Sequence, residues 1–279
     1  MFELNTVING AVPEAMKVVP DGIVDLIVTS PPYNVDLGNN KYNKTPYSLY
    51  KDNKEHFEYI AWLKMVFEEC YRVLKSGGRV VINIGDGKNG SVPTGSDITQ
   101  FMKDLNYIPY THIIWEKSQV GSRTSWGSFN SPSSPSFPTP FEHILVFCKD
   151  SKKLLETGKT DLKGDEFIEW SLALWRFAPE IRMKEFGHPA MFPEELPKRC
   201  IKMLSYIGAV VMDPFAGAGT TLVVAKALKR NYIGFEISSK YVDIINERLK
   251  DEPSFWDDWS DEQIDIIDEV EKKEISFWD

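Results

Sequence analysis

Ala209-Val210-Val211-Met212-Asp213-Pro214-Phe215-Ala216-Gly217-Ala218-Gly219-Thr220-Thr221 opens on four apolar residues and closes on a glycine-rich turn. A short apolar run that ends this way predicts a buried parallel strand handing over to a helix. The turn then lies at the carboxyl edge of the sheet, where open α/β sheets place their ligands. Gly217 and Gly219 carry no side chain to hold a ligand off the backbone. The spacing lacks the third glycine of a dinucleotide fingerprint, and no lysine follows as in a phosphate-binding P-loop. Asp213 instead suits a ligand with a cationic amino-acid end.

Far upstream, Asp25-Leu26-Ile27-Val28 leads into Thr29-Ser30-Pro31-Pro32-Tyr33 in the same manner. A second buried strand therefore delivers a second loop to a sheet edge. Around these two, the pattern predicts an edge strand over 3–9, a short helix near 13–18, and a helix over 56–74 stopped by Ser76-Gly77-Gly78. It continues with a buried strand over 79–84 and a helix over 96–105 with Ser96 as its cap. Strands over 107–115 and 142–147 follow, suited to antiparallel pairing. A helix over 193–206 enters the glycine-rich strand, a helix over 219–229 leaves it, and a strand over 232–237 and a helix over 239–250 complete the series. Residues 34–54 read as a loop. Residues 118–140, rich in Ser, Pro and Gly yet keeping Arg123, Trp126, Phe129 and Phe137, read as a functional loop.

With 279 residues, 42% hydrophobic and 26% charged, the chain can build one sizeable core. No apolar stretch approaches the ~20 residues of a membrane span. Met1-Phe2-Glu3-Leu4 lacks a signal pattern, so a cytoplasmic protein with no membrane partner is expected. Cys70, Cys148 and Cys200 are widely spaced and form no Cys-x-x-Cys pair, which suggests buried thiols and neither a disulfide framework nor a metal site. The net charge of −9 is unusual for a protein that meets nucleic acid. However, nine carboxylates between Glu252 and Asp279 face only Lys272 and Lys273, so much of the excess sits in the tail.

Together the Ser30-Pro31-Pro32-Tyr33 tetrapeptide, the glycine-rich loop, Gly234-Phe235-Glu236-Ile237 and His188-Pro189-Ala190-Met191-Phe192-Pro193 resemble the DNA amino-methyltransferases. In that family a methyl group passes from S-adenosylmethionine to an exocyclic base nitrogen. A tetrapeptide N-terminal to the glycine-rich loop is the order of the beta group. The resemblance implies a doubly wound α/β fold: a mostly parallel, seven-stranded methyltransferase sheet with one antiparallel strand and a small inserted target-recognition region. Residues 1–250 would form a single catalytic domain, with 118–140 as a DNA-contact loop and 150–187 as the recognition region. For the latter, a helical cover over Trp170, Leu174 and Phe177 is the alternative. Residues 251–279 would be an acidic extension.

The resemblance also implies roles. An exocyclic amine is a poor nucleophile because its lone pair is delocalised into the ring. Two acceptors aimed at its hydrogens, the Ser30 hydroxyl and the Pro31 carbonyl, would localise that pair. Pro32 holds the turn extended, and Tyr33 offers a face for a base turned out of the duplex. Asp213, Phe215, Ala216, Gly217, Gly219, Thr220 and Thr221 would cradle S-adenosylmethionine, Glu236 would accept its ribose hydroxyls, and His188, Ala190 and Phe192 would close over its methionine part. Lys41, Lys44, Lys117, Arg123 and Trp126 are candidates for DNA contact. Serine at the head of the tetrapeptide favours cytosine N4, with adenine N6 as the alternative. The expected partners are double-stranded DNA, a cognate restriction endonuclease acting on the same site, and a second copy of the chain. In one place the sequence departs from the family: Asn9-Gly10 is followed by Ala11, where relatives commonly carry an acid.

Overall fold

The computed structural model describes residues 2–35, 52–87, 90–117, 128, 130–135, 137, 139–180 and 191–250. Its strands are β1 (Thr6–Asn9), β2 (Val24–Thr29), β3 (Leu74–Ile84), β4 (Ile108–Lys117), β5 (Phe141–Cys148), β6 (Leu174–Phe177), β7 (Val210–Asp213) and β8 (Asn231–Glu236). The helices are α1 (His56–Val73), α2 (Thr94–Asp104), α3 (Gly164–Trp170), α4 (Glu195–Leu204), α5 (Thr220–Ala227) and α6 (Ser239–Arg248), with a 3₁₀ turn over Glu14–Val18.

All eight strands join one sheet in the order β1-β8-β7-β2-β3-β5-β4-β6. Only β5 runs against the others, pairing antiparallel with β3 and β4. Leu26–Val28 of β2 and Val80–Ile82 of β3 are apolar at every position because both faces of the sheet are covered there. Ile27, Val80 and Ile82 pack with Leu63 and Phe67 of α1, while Leu26, Val28 and Val81 pack with Leu196 and Ile201 of α4 and Val224 of α5. Helices on both faces make the sheet doubly wound, as expected.

The sheet has eight strands rather than seven. Leu174–Phe177, within the stretch expected to form a recognition region or a helical cover, adds as an edge strand parallel to β4, with Trp115 opposite Trp175. Trp175 is core and Phe177 packs half-buried against it: Trp175 Nε1 donates to Trp170 O at 2.9 Å, and the Trp115 and Phe177 rings stack 5.0 Å apart. Ser76-Gly77-Gly78 does not end the preceding helix by a loop. It forms an irregularity inside β3, where Val24 faces Leu74 and Leu26 faces Arg79. Gly77 there has a φ of 79°, and a Cβ would lie 2.8 Å from Lys153 O. Ser96 does not cap α2, which begins two residues earlier after Pro93.

One feature of the topology matters most for the site. β2 and β7 are adjacent and parallel, with Leu26 opposite Val211 and Ile27 opposite Met212. The two loops picked out in the sequence therefore leave the same edge of the sheet side by side.

Candidate active site

Where β2 and β7 end, three donors converge on one carboxylate. Thr29 Oγ1 donates to Asp213 Oδ1 at 2.6 Å, Thr221 Oγ1 donates to Oδ2 at 2.7 Å, and the Phe215 N–H donates to Oδ1 at 3.0 Å. Asp213 is buried, and burial pushes its carboxyl up to about 6 although all three hydrogen bonds pull the other way. Asp213 thus fastens the tetrapeptide strand, its own turn and the start of α5 to one another.

The turn itself needs glycine. Gly217 and Gly219 have φ of 55° and 83°. At Gly219 a Cβ would meet Ile245 Cγ1 at 2.9 Å, so α6 packs directly on the backbone. Glu236, at the end of β8, accepts from Gly217 N–H at 2.9 Å and Ser238 N–H at 2.8 Å. Burial raises its pKa, and these backbone bonds partly offset the rise. Asn9 at the end of β1 donates its side-chain amide to Glu236 O at 2.8 Å. Three strand ends therefore meet around one space, and Gly10, Ala11 and Val12 line it without a carboxylate of their own.

That space is a cavity of about 520 Å³, bordered at one end by Gly217, Glu236 and Phe215 and at the other by Ser30, Pro31 and Tyr33. The two loops share one continuous cavity. Pro32, Asp213, Ala216, Thr220 and Phe192 also line it. Gly219 and Thr221 act behind its wall, through the turn and through Asp213. His188, Ala190, Lys41, Lys44, Arg123 and Trp126 lie outside the described residues, as does the acidic extension over 251–279.

Sequence reasoning missed the floor under the tetrapeptide. Tyr33 Oη donates to Glu142 Oε2 at 2.9 Å, and Asn83 Nδ2 donates to Tyr33 Oη and to Glu142 Oε2, each at 2.8 Å. Ser30 Oγ lies 3.3 Å from Tyr33 Oη. Lys117, proposed from sequence as a DNA contact, forms an ion pair with Glu142 on this cavity wall. A signal for Asn83 was present: it is the one polar residue in the run Val80-Val81-Ile82-Asn83-Ile84. Glu142 carried none, since a charged residue at a strand start is ordinary.

Residues 24–247 match the family model described as DNA methylase, whose members methylate N6 or N4 amino groups. The chain belongs to this family, in its beta group. Over 58% of its length and 80% of the relative's, it is 39% identical to the type II methyltransferase M.MjaVI of Methanocaldococcus jannaschii. It is 32% identical to the DNA adenine methyltransferase YhdJ of Escherichia coli, over 88% of the chain and 83% of the relative. Among solved structures it is similar to TTHA0409 of Thermus thermophilus, crystallised in complex with S-adenosyl-L-methionine. That likeness has a TM-score of 0.70 at 28% identity and covers 90% of this chain and 96% of the other.

Among the described residues no helix is long and apolar enough to cross a membrane, and no group of three or more His, Cys, Asp or Glu could hold a metal ion. All three cysteines are free and buried.

Proposed function

We propose that this DNA methyltransferase binds S-adenosylmethionine at the Gly217 end of the cavity and methylates the exocyclic N4 of a cytosine presented at the Ser30 end. The observation that carries this reading is the single cavity joining the two ends, because donor and acceptor must share a space for direct transfer.

The residues present fit the cofactor. The volume lies within the ~300–1,000 Å³ usual for small-molecule sites. Glu236 at a strand end suits ribose hydroxyls, Phe215 packed edge-on against Trp62 at 5.5 Å gives an apolar wall for a purine, and Asp213 sets the charge near an amino-acid end. When bound, the cofactor supplies an electrophilic methyl group on sulfonium sulfur. Ser30 Oγ and the Pro31 carbonyl accept the amine hydrogens and so point its lone pair, while the Tyr33 ring holds the base. The base is turned out of duplex DNA to arrive there.

Ser30, rather than an acid, supports cytosine, by resemblance to cytosine-N4 enzymes. Likeness to YhdJ favours adenine N6 as the second reading. Lys41, Lys44, Arg123 and Trp126, with residues 150–187, complete the proposal as the DNA-contacting set. Likeness to a type II methyltransferase supports a cognate endonuclease acting on the same sequence, and the family resemblance extends to a homodimer. Incubating unmethylated duplex DNA with protein and S-adenosylmethionine, then weighing the released nucleosides by mass spectrometry, decides the base. N4-methylcytosine is expected, N6-methyladenine would move the assignment to the second reading, and unmodified DNA would overturn both.

A further inference from the structure

The hydroxyls beneath the cavity form a directed chain. A carboxylate offers only acceptors, so the Tyr33 hydrogen is committed to Glu142 Oε2 at 2.9 Å. Tyr33 Oη must then act as acceptor toward its other neighbours, receiving from Asn83 Nδ2 at 2.8 Å and from Ser30 Oγ at 3.3 Å. Ser30 in turn spends its hydrogen on Tyr33, which leaves both Oγ lone pairs available to donors entering the cavity. Glu142 is fixed at the far end: Asn83 Nδ2 reaches Oε2 at 2.8 Å, Lys117 Nζ pairs with Oε1, and the carboxylate side chain is only 12% exposed. Gly85 closes the back of this arrangement, since a Cβ there would stand 3.2 Å from Tyr33 Cε2 and 3.5 Å from Glu142 Cγ.

We propose that Glu142, clamped by Lys117 and Asn83, is a positioning residue for the methyl transfer and the final acceptor of the proton that the target amine releases. This rests on the functional reading above. As the nitrogen–methyl bond forms, the carbon–sulfur bond breaks with its electron pair left on sulfur, and the amine nitrogen becomes cationic. One of its protons passes to Ser30 Oγ, the Ser30 hydrogen passes to Tyr33 Oη, and the Tyr33 hydrogen passes to Glu142 Oε2. The base leaves neutral and methylated, and the carboxyl returns its proton to water once the product has departed. Before transfer, the same polarity keeps Ser30 an acceptor, as localising the amine lone pair requires. The chain thus assigns the tyrosine hydroxyl a task separate from that of its ring.

The test uses the whole chain, unmethylated duplex DNA and tritiated S-adenosylmethionine. Tyr33→Phe removes only the hydroxyl, and Glu142→Gln keeps the shape while removing the proton acceptor. Each is expected to slow transfer at saturating substrates by at least about tenfold, within the range of acid–base contributions. KM for DNA and Kd for the cofactor should stay within about twofold, the mark of an interaction used only in the transition state. The double variant should be no slower than the slower single one, because a chain broken twice is still one broken chain. In protein labelled with ¹³C at tyrosine Cζ, the Tyr33 resonance, assigned by its loss in Tyr33→Phe, should move in Glu142→Gln with neither DNA nor cofactor present. Full-rate transfer by either variant, multiplying losses in the double variant, or an unmoved resonance each overturns the relay. If Glu142→Gln fails to bind cofactor, Tyr33→Phe decides alone by its rate. Wild-type protein that labels no DNA would instead overturn the functional reading, while the resonance would still report on the hydroxyl chain.

Discussion

Thr29 gives its hydroxyl hydrogen to Asp213 across 2.6 Å, linking residues 184 positions apart in the buried seam between β2 and β7. This bond holds the residue before the tetrapeptide against the residue before the glycine-rich turn, so it sets the spacing of the two halves of the cavity. Thr29→Val keeps the shape and removes the donor. Because Asp213 stays buried with one partner fewer, a loss of about 1–3 kcal/mol is expected in urea unfolding. Thr29→Ser, which retains the hydroxyl, should lose much less. Equal stability of wild type and Thr29→Val would show that the bond does not hold the seam.

Asp213 should also make stability depend on pH. Its carboxyl is raised from 3.8 to about 6, chiefly by burial. Between those values the folded protein binds more protons at this site than the unfolded chain. The contribution is therefore complete below about 3.8 and is lost as pH rises through about 6. Asp213→Asn cannot titrate, so differences against it isolate the group. From about pH 5 to about pH 7.5, wild type should lose roughly 1–1.5 kcal/mol relative to Asp213→Asn. A difference that stays flat over that span in denaturant titrations would contradict the assignment.

Gly219 combines two constraints that substitution can separate. Its φ of 83° strains any other residue, and a Cβ would strike Ile245 at 2.9 Å. Gly22 has a φ of 63° with nothing within 4 Å of the same position. Gly22→Ala should therefore cost about 1–2 kcal/mol from backbone strain alone. Gly219→Ala should exceed it by at least about 1 kcal/mol, since α6 must shift, and should weaken S-adenosylmethionine binding as the turn moves. Thermal unfolding of the two variants with calorimetric cofactor titration reads both effects, and equal losses would remove Ile245 from the explanation.

Much of this arrangement was legible because its signals are local. Ile27-Val28 and Val211-Met212 are apolar runs ending in turns, and a buried strand with a loop at its end follows from those few residues. Their adjacency is another matter, because the pairing of β2 with β7 spans most of the chain and is fixed only when both faces find helices. For the same reason Thr29 looked like an ordinary strand end until Asp213 lay beside it. Glu142 and Lys117 acquire a meaning only when the antiparallel β5 brings one beneath Tyr33 and β4 supplies the other. The helical-cover alternative for Trp170 to Phe177 missed the edge strand at Leu174–Phe177 because aromatic residues suit a helical cover and an edge strand equally. Ser76-Gly77-Gly78 misled because glycine at positive φ serves a strand irregularity as well as a helix end.

Ser30→Ala tests the tetrapeptide most directly. Removing Oγ takes away an acceptor for the amine hydrogens but leaves Tyr33 bonded to Asn83 and Glu142, so the pocket keeps its shape. The cofactor end is farther along the cavity, fastened by Thr29, Thr221 and Glu236, none of which contacts Ser30 Oγ through a hydrogen bond. Cofactor affinity should therefore hold within about twofold while single-turnover methyl transfer to DNA falls by about 10²–10⁴, the scale of losing a preorganised polar contact used in the transition state. Filter binding of tritiated DNA measures the rate and calorimetry measures the affinity. Transfer at the wild-type rate would take Ser30 out of the chemistry and leave the Pro31 carbonyl to orient the amine by itself.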